Sequence, residues 1–204
     1  GPYLRMCHLE QDLVVYDVAK LLDNLFRGDR RIGNDKEFSK KVVLVDENEM
    51  TAVMMGFPTL KGLSRETPST YVSVLLNQNA ALHYIDVAQE FGLAGDVCPM
   101  PEAELGVSID DDAPILGACA VQCNTTCDGS LMSNGGIAKR LELEDGIPIF
   151  QLAAPLRHRE DDVQDYAAQE IRNCIAFIEE KTGEKWDWKY YFECAKRVNE
   201  STRH

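Results

Sequence analysis

Apolar positions along the chain follow two periods. Over residues 10–27, Leu13, Val14, Val18, Leu21, Leu22 and Leu25 recur at helical spacing and Gly28-Asp29 closes the run, which predicts a helix. Lys40 to Val45 is rich in Val and ends at Asp46, which predicts a short strand. Residues 56–68 hold two Pro and two Gly and read as loop. From Pro68 to Phe91 a helix is predicted, with Val72, Leu75, Leu76, Leu82, Ile85 and Val87 on its apolar face and Gly92 as its stop. Ala113 to Val121 is a continuous small-apolar run, suited to a strand buried on both faces of a parallel sheet.

The second half alternates. Residues 131–143 predict a helix, Ile147 to Leu152 a second buried strand, and Ala153-Ala154-Pro155 a loop. Residues 160–182 give the clearest helix, with Val163, Tyr166, Ala167, Ile171, Cys174, Ile175 and Ile178 on one stripe and Gly183 placed to end it. Asp187 is positioned to cap a last helix carrying Trp188, Tyr191, Phe192, Ala195 and Val198. Alternating strands and helices predict right-handed βαβ units. The expected fold class is α/β: an open, mostly parallel Rossmann-like sheet flanked by helices, with additional helices at both ends. A helical segment over 1–39 would precede an α/β lobe over 40–204 that closes with a helix pair.

Composition narrows the function. With 204 residues the chain is long enough for one good core. Its 21 basic and 34 acidic residues give a net charge of −13, which argues against nucleic acid as a partner, because phosphates demand a basic footprint. No apolar run approaches the ~20 residues needed to span a bilayer, so no membrane partner is expected. The start is polar, lacks the core of a signal peptide, and opens on Gly1-Pro2, which has the form of a scar left by tag removal. Seven cysteines, an odd count without a secretion signal, favour a reducing cytoplasm over a disulfide framework. Such thiols divide between core positions and metal ligands.

Two segments carry candidate chemistry. Gln122-Cys123-Asn124-Thr125-Thr126-Cys127-Asp128-Gly129 lies between a predicted strand and a predicted helix. Ligands in open α/β sheets bind outside the carboxyl ends of strands, and helix N-termini favour thiolates, the species that iron–sulfur clusters take as ligands. Gly95-Asp96-Val97-Cys98-Pro99-Met100-Pro101 reads as a second junction, a rigid loop presenting Cys98. By spacing alone these thiols are either ligands or structural residues; Cys123-x-x-x-Cys127 fits neither a zinc ribbon nor a redox pair. Cys119 and Cys174 fall on predicted buried faces, Cys194 beside the last helix's apolar face, and Cys7 in the N-terminal segment.

Taken together, Cys98-Pro99-Met100-Pro101-Glu102-Ala103-Glu104-Leu105-Gly106, Asn124-Thr125-Thr126-Cys127-Asp128-Gly129, the Gly146 to Pro155 strand, and the helix pair Tyr166–Gly183 and Trp186–Glu200 resemble the benzoyl-CoA reductase and 2-hydroxyacyl-CoA dehydratase family. The resemblance spans roughly Asp96 to Glu200. It implies a subunit of two Rossmann-like lobes holding a [4Fe–4S] cluster, with two ligand cysteines from the first lobe: Cys98 and Cys127, or Cys123 in place of Cys127. It further implies an acyl-CoA substrate, a partner dehydratase subunit and an ATP-dependent iron–sulfur activator that injects one electron, so that a ketyl radical anion expels the hydroxyl. The sequence ends at His204, where the first lobe would close, so the lobe alone is expected to be inactive. Under the resemblance, Asn134, Gly135 and His158 are candidate substrate contacts; His158, between Arg157 and Arg159, is otherwise a solvated basic loop. Competing readings are a non-catalytic assembly module, a benzoyl-CoA reductase-type subunit, and a zinc or thiol-redox protein built on Cys123 and Cys127.

Overall fold

The computed structural model describes residues 39–46, 51–65, 79–110, 117–124, 128–155 and 159–201. Four short strands, β1 (Val42–Val45), β2 (Lys61–Ser64), β3 (Cys119–Cys123) and β4 (Ile149–Leu152), form one sheet in the order β2-β1-β3-β4. Every pairing is parallel, with Val43 opposite Gly62 on one side and Cys119 on the other, and Cys123 opposite Leu152. The helices are α1 (Thr51–Met54), α2 (Ala80–Phe91), α3 (Pro99–Ile109), α4 (Asp128–Lys139, continued by a π-helical turn over Arg140–Glu144), α5 (Asp161–Thr182) and α6 (Trp188–Ser201).

The pleat sorts the strands into two cores. Val43, Val45, Cys119, Val121 and Cys123 pack with Val53, Phe57 and, from α5, Cys174 and Ile178. Val42, Leu44 and Ala120 pack with Ala88 of α2, Leu105 of α3 and Ile137 of α4. Moving from β1 to β2 lays α1 over one face. Moving back across the sheet to β3 and on to β4 lays α2, α3 and α4 over the other. A single handedness of crossover requires this division. The open, parallel α/β fold expected from the sequence is the fold observed.

Several boundaries differ from expectation. The segment read as loop over 56–68 contains β2, an edge strand whose Lys61 and Gly62 are exposed; its lack of an apolar run hid it. The strand expected over 113–121 begins only at Cys119, because Gly117 before it holds a φ of +149°, outside any ladder. The rigid loop expected around Cys98 is the start of a helix: Pro99 fits the first helical position, where its fixed φ suits the turn and no N–H is needed. The stripe predicted on α5 is buried only at Cys174 and Ile178, whereas Tyr166 and Ile171 are exposed. With 22 residues, α5 is about 33 Å long, and strands of four residues cannot cover it. The helix expected over 10–27 and most of the first part of the one over 68–91 lie outside the described residues.

The C-terminal pair is tied down by polar contacts. Gly183 ends α5 in the left-handed conformation (φ +76°), and Asp187 caps α6 by accepting the N–H groups of Lys189 at 2.8 Å and Tyr190 at 3.1 Å. Between them, Trp186 packs edge-on against Phe57 at 5.3 Å, so close over Gly56 that a Cβ there would stand 2.3 Å from its ring. Glu184 accepts the N–H and hydroxyl of Thr59, and the Asp187 N–H donates to the Gly56 carbonyl. Glu179 accepts the Trp186 N–H at 2.8 Å and Lys185 Nζ at 2.9 Å, and these bonds hold its carboxyl below the usual range. A lowered carboxyl stabilises the fold above the ordinary carboxylate pKa and loses that contribution as pH falls through the folded value. Glu179→Gln is therefore expected to lower the urea midpoint at neutral pH, and to lower it less at an acid pH below the ordinary carboxylate range. A gap of equal size at both pH values would show that the charge plays no part.

Candidate functional site

Strand order reverses between β1 and β3, since the chain leaves β1 in one direction for β2 and passes to its other side for β3. In open α/β sheets that switch point, at the carboxyl ends of the strands, is where ligands bind. Asp46 sits there, directly after β1, with its N–H donating to the Val121 carbonyl at 3.2 Å. Its side chain is buried and accepts Asn134 Nδ2 at 2.9 Å, and the Cys123 N–H reaches it at 3.5 Å. The same Asn134 Nδ2 donates to the Cys123 carbonyl at 3.1 Å, so one α4 side chain clasps the ends of β1 and β3. Burial pushes the Asp46 carboxyl up, and the Asn134 bond partly offsets it. Glu104 of α3 also hydrogen-bonds Asp46. A bond between two carboxyl groups needs a proton on one of them, and this bond favours the ionised form of Asp46. Behind them Arg65 closes the cluster, with Nε 3.5 Å from Glu104 Oε1 and a guanidinium nitrogen 2.6 Å from Ser108 Oγ.

Beside this clasp, at the ends of β3 and β4, opens a cavity of about 230 Å³ against α4, lined by Gln122, Asn134, Gly135 and Gln151 among others. Gln122 is buried, and neither amide atom has a hydrogen-bond partner among the described residues; Asn134 Oδ1 is likewise unpartnered. Each such group costs about 1–3 kcal/mol if nothing pairs with it.

Cys98 lies on the same face of the sheet as α3 and α4. It is the exposed N-cap residue of α3 in extended conformation, and its thiol makes no capping hydrogen bond. Gly129, in the first turn of α4 and two residues beyond Cys127, comes up against it. A Cβ on Gly129 would stand 3.5 Å from Cys98 Cβ and 2.9 Å from Pro101 Cγ. The N-terminal ends of two helices thus meet at Cys98, and both place positive partial charge there.

The other cysteines occupy different surroundings. Cys119 and Cys174 are fully buried, and burial pushes both thiols up to about 12, consistent with the core role read from the sequence. Cys123 is buried in that same core cluster, against α5 and across the sheet from α3. Cys194 is half-buried and bonded to Tyr190. Asn134 and Gly135 both line the cavity. Cys127, His158 and Cys7 lie outside the described residues. Among the described residues, no group of three or more His, Cys, Asp or Glu side chains is placed to hold a metal. None of the described helices is long and apolar enough to cross a membrane.

Sequence reading missed Asp46, Arg65, Glu104 and Gln122. Asp46, Arg65 and Glu104 come together from the ends of β1 and β2 and from α3, and Gln122 lies on β3 by the cavity, so no local spacing connects them. The available signals were weak: an acid directly after a Val-rich strand, and a lone Gln within a run of apolar residues.

Fold and site together define an open α/β domain with a cavity at the carboxyl ends of β3 and β4, beside its switch point, and a thiol at converging helix ends. The sequence profile of the family described as 2-hydroxyglutaryl-CoA dehydratase, D-component, matches residues 50–204, and the chain belongs to that family. The (R)-phenyllactyl-CoA dehydratase alpha subunit of Clostridium sporogenes is 25% identical to it over 152 residues, covering 71% of this chain and 36% of that subunit. The chain therefore spans about a third of the length of this curated relative.

Proposed function

We propose that this chain is the first lobe of an iron–sulfur 2-hydroxyacyl-CoA dehydratase-like subunit, in which Cys98 and Cys127 supply the lobe's share of the ligands to a [4Fe–4S] cluster. The observation that carries this reading is the contact of Cys98 with Gly129, because it brings the α3 N-cap to the helix start that directly follows Cys127. The donor set fits the group. Cys98 is an exposed thiol with no capping bond, and the absence of a side chain at Gly129 lets the start of α4 approach it closely. Two converging helix N-termini stabilise thiolate ligands and the negative charge of a thiolate-bound cluster. Cys123 is the weaker ligand candidate, since it is buried among apolar side chains on the opposite face.

When bound, the cluster supplies one-electron chemistry for reductive removal of the hydroxyl from a 2-hydroxyacyl-CoA. The chain's own part is to supply thiolate ligands, while the Asp46–Asn134 clasp ties the ends of β1 and β3 together. Two ligands make half of a four-ligand site. The lobe by itself is therefore proposed to be inactive, with the remaining ligands, the partner subunit and an ATP-dependent activator completing the system. The acidic surface of the chain, net −13, suits recognition of a positively charged protein partner.

Anaerobic reconstitution of the intact subunit with iron and sulfide tests the ligand assignment. Cys98→Ala with Cys127→Ala is expected to abolish the visible absorbance of the cluster and its stoichiometric iron, whereas Cys123→Ala keeps both. Undiminished absorbance in the double variant would make the assignment wrong, and stoichiometric zinc without iron would point to a different metal protein.

A further inference from the structure

Asp46 is a buried acid placed directly after a strand, Val42–Val45, that is apolar throughout. Burying a carboxyl is costly even when it is paired, and apolar replacements of buried ionic groups are often as stable. What this side chain adds is direction. It bonds Glu104 of α3, and it accepts Asn134 Nδ2 of α4 at 2.9 Å. These are the two helices that start at the candidate ligands: α3 is capped by Cys98, and α4 begins at Asp128, next to Cys127. Glu104 lies six residues beyond Cys98 and Asn134 six beyond Asp128, so both helices are gripped about 9 Å below their starts. Between themselves the helices meet through glycine. A Cβ on Gly129 would stand 2.9 Å from Pro101 Cγ, and one on Gly136 2.9 Å from Leu105 Cδ1. Gly129 and Gly136 are seven residues apart, so α4 rests on α3 along one face over two turns. Apolar contact of this kind has no direction. It joins the helices without fixing where the pair stands on the sheet, and the bonds from Asp46 supply that fix.

We infer that Asp46 is a positioning residue for the ligand end of the lobe: by holding Glu104 and Asn134 at once, it sets the starts of α3 and α4 on the sheet and so fixes the spacing at which the two helices offer their thiols. Arg65, bonded to Glu104 and to Ser108, backs the hold on α3. The inference rests on the reading of Cys98 and Cys127 as cluster ligands.

Two variants test it. Asp46→Ala releases both helices, whereas Asp46→Asn has the same shape, accepts from Asn134 and donates to Glu104. Hydrogen exchange of the full chain, read by mass spectrometry without a cluster, is the first arm. The amides at the starts of α3 and α4 are expected to lose about tenfold of their protection in Asp46→Ala, while those around Cys174 and Ile178 of α5 keep theirs and Asp46→Asn stays near wild type. If Asp46→Ala does not fold, Asn134→Ala releases α4 alone and is expected to loosen its start more than that of α3. The second arm is anaerobic reconstitution of the intact subunit with iron and sulfide. Asp46→Ala is expected to hold several-fold less iron and to change the electron paramagnetic resonance spectrum of the reduced cluster, and Asp46→Asn to restore both. Full protection at both helix starts in Asp46→Ala, or equal loosening of the two helices in Asn134→Ala, would overturn the inference. Lost protection with wild-type iron and an unchanged spectrum would overturn it too, since Asp46 would then serve the fold alone. Selective loosening in a subunit whose wild type takes up no cluster would keep the hold of Asp46 on the two helices and sink the ligand reading.

Discussion

Gly106→Ala is expected to destabilise the protein by about 3 kcal/mol, the upper part of the range for overpacking a filled interior. Helices α2 and α3 cross at this residue. A Cβ on Gly106 would lie 1.8 Å from the Tyr84 carbonyl oxygen and 2.5 Å from its carbonyl carbon. The obstacle is helix backbone, so no side-chain rotation relieves it. Ala is intrinsically better in a helix than Gly by about 1 kcal/mol, and an effect in the opposite direction therefore isolates the packing cost. Because α3 carries Cys98 at one end and Glu104 near the crossing, pushing it from α2 also disturbs both parts of the site. The melting temperature should fall by about 6–12 °C for a domain of this size. A melting temperature equal to or above that of wild type would mean that the two helices do not cross at Gly106.

Arg65→Met is expected to cost a further large amount, about 3–5 kcal/mol, because removing one partner of a buried ion pair strands the other. Arg65 faces Glu104 with both side chains largely buried, and its charge also helps to lower the Asp46 carboxyl. Without the guanidinium, two buried carboxyl groups share one site with no counter-charge, and both are driven towards protonation. The loss should shrink as pH falls and the pair takes up protons. Combining Arg65→Met with Glu104→Gln should recover part of it, since the second change removes the stranded charge; urea midpoints of the four proteins in the cycle give the coupling. Strict additivity of the two single effects would show that Arg65 and Glu104 do not act as a pair.

The parts of the fold that could be read in the sequence are those governed by local rules. The Val-rich run before Asp46, the strand at Ile149–Leu152, the Gly183 stop and the Asp187 cap follow from periodicity and end chemistry, and the structure places them within one or two residues of expectation. β2 could not be read this way, because an exposed edge strand of the sequence Lys-Gly-Leu-Ser gets its order from pairing with β1 and not from its own composition. The α5 stripe was over-read, since periodicity reports an apolar face without saying how much sheet is available to cover it. Of the candidate site, Cys98 and Asn134 could be picked out through family resemblance. The Asp46–Asn134 clasp could not, as it joins residues 88 positions apart, and the helix that begins at Pro99 was hidden by prolines that read as loop.

The position of β1 in the middle of the sheet sets the timing of folding. Val43 pairs with Gly62, 19 residues on, and with Cys119, 76 residues on. Closing the longer loop delays the second ladder, as non-local parallel pairing does generally. During synthesis, Val42–Val45 emerges and has only the exposed edge strand β2 to pair with until residues near 120 follow it. A run of four apolar, strand-forming residues left half-paired is a seed for association between nascent chains. This domain therefore depends on how quickly its second half is made, and slowed translation between residues 65 and 119 should divert it from folding to aggregation.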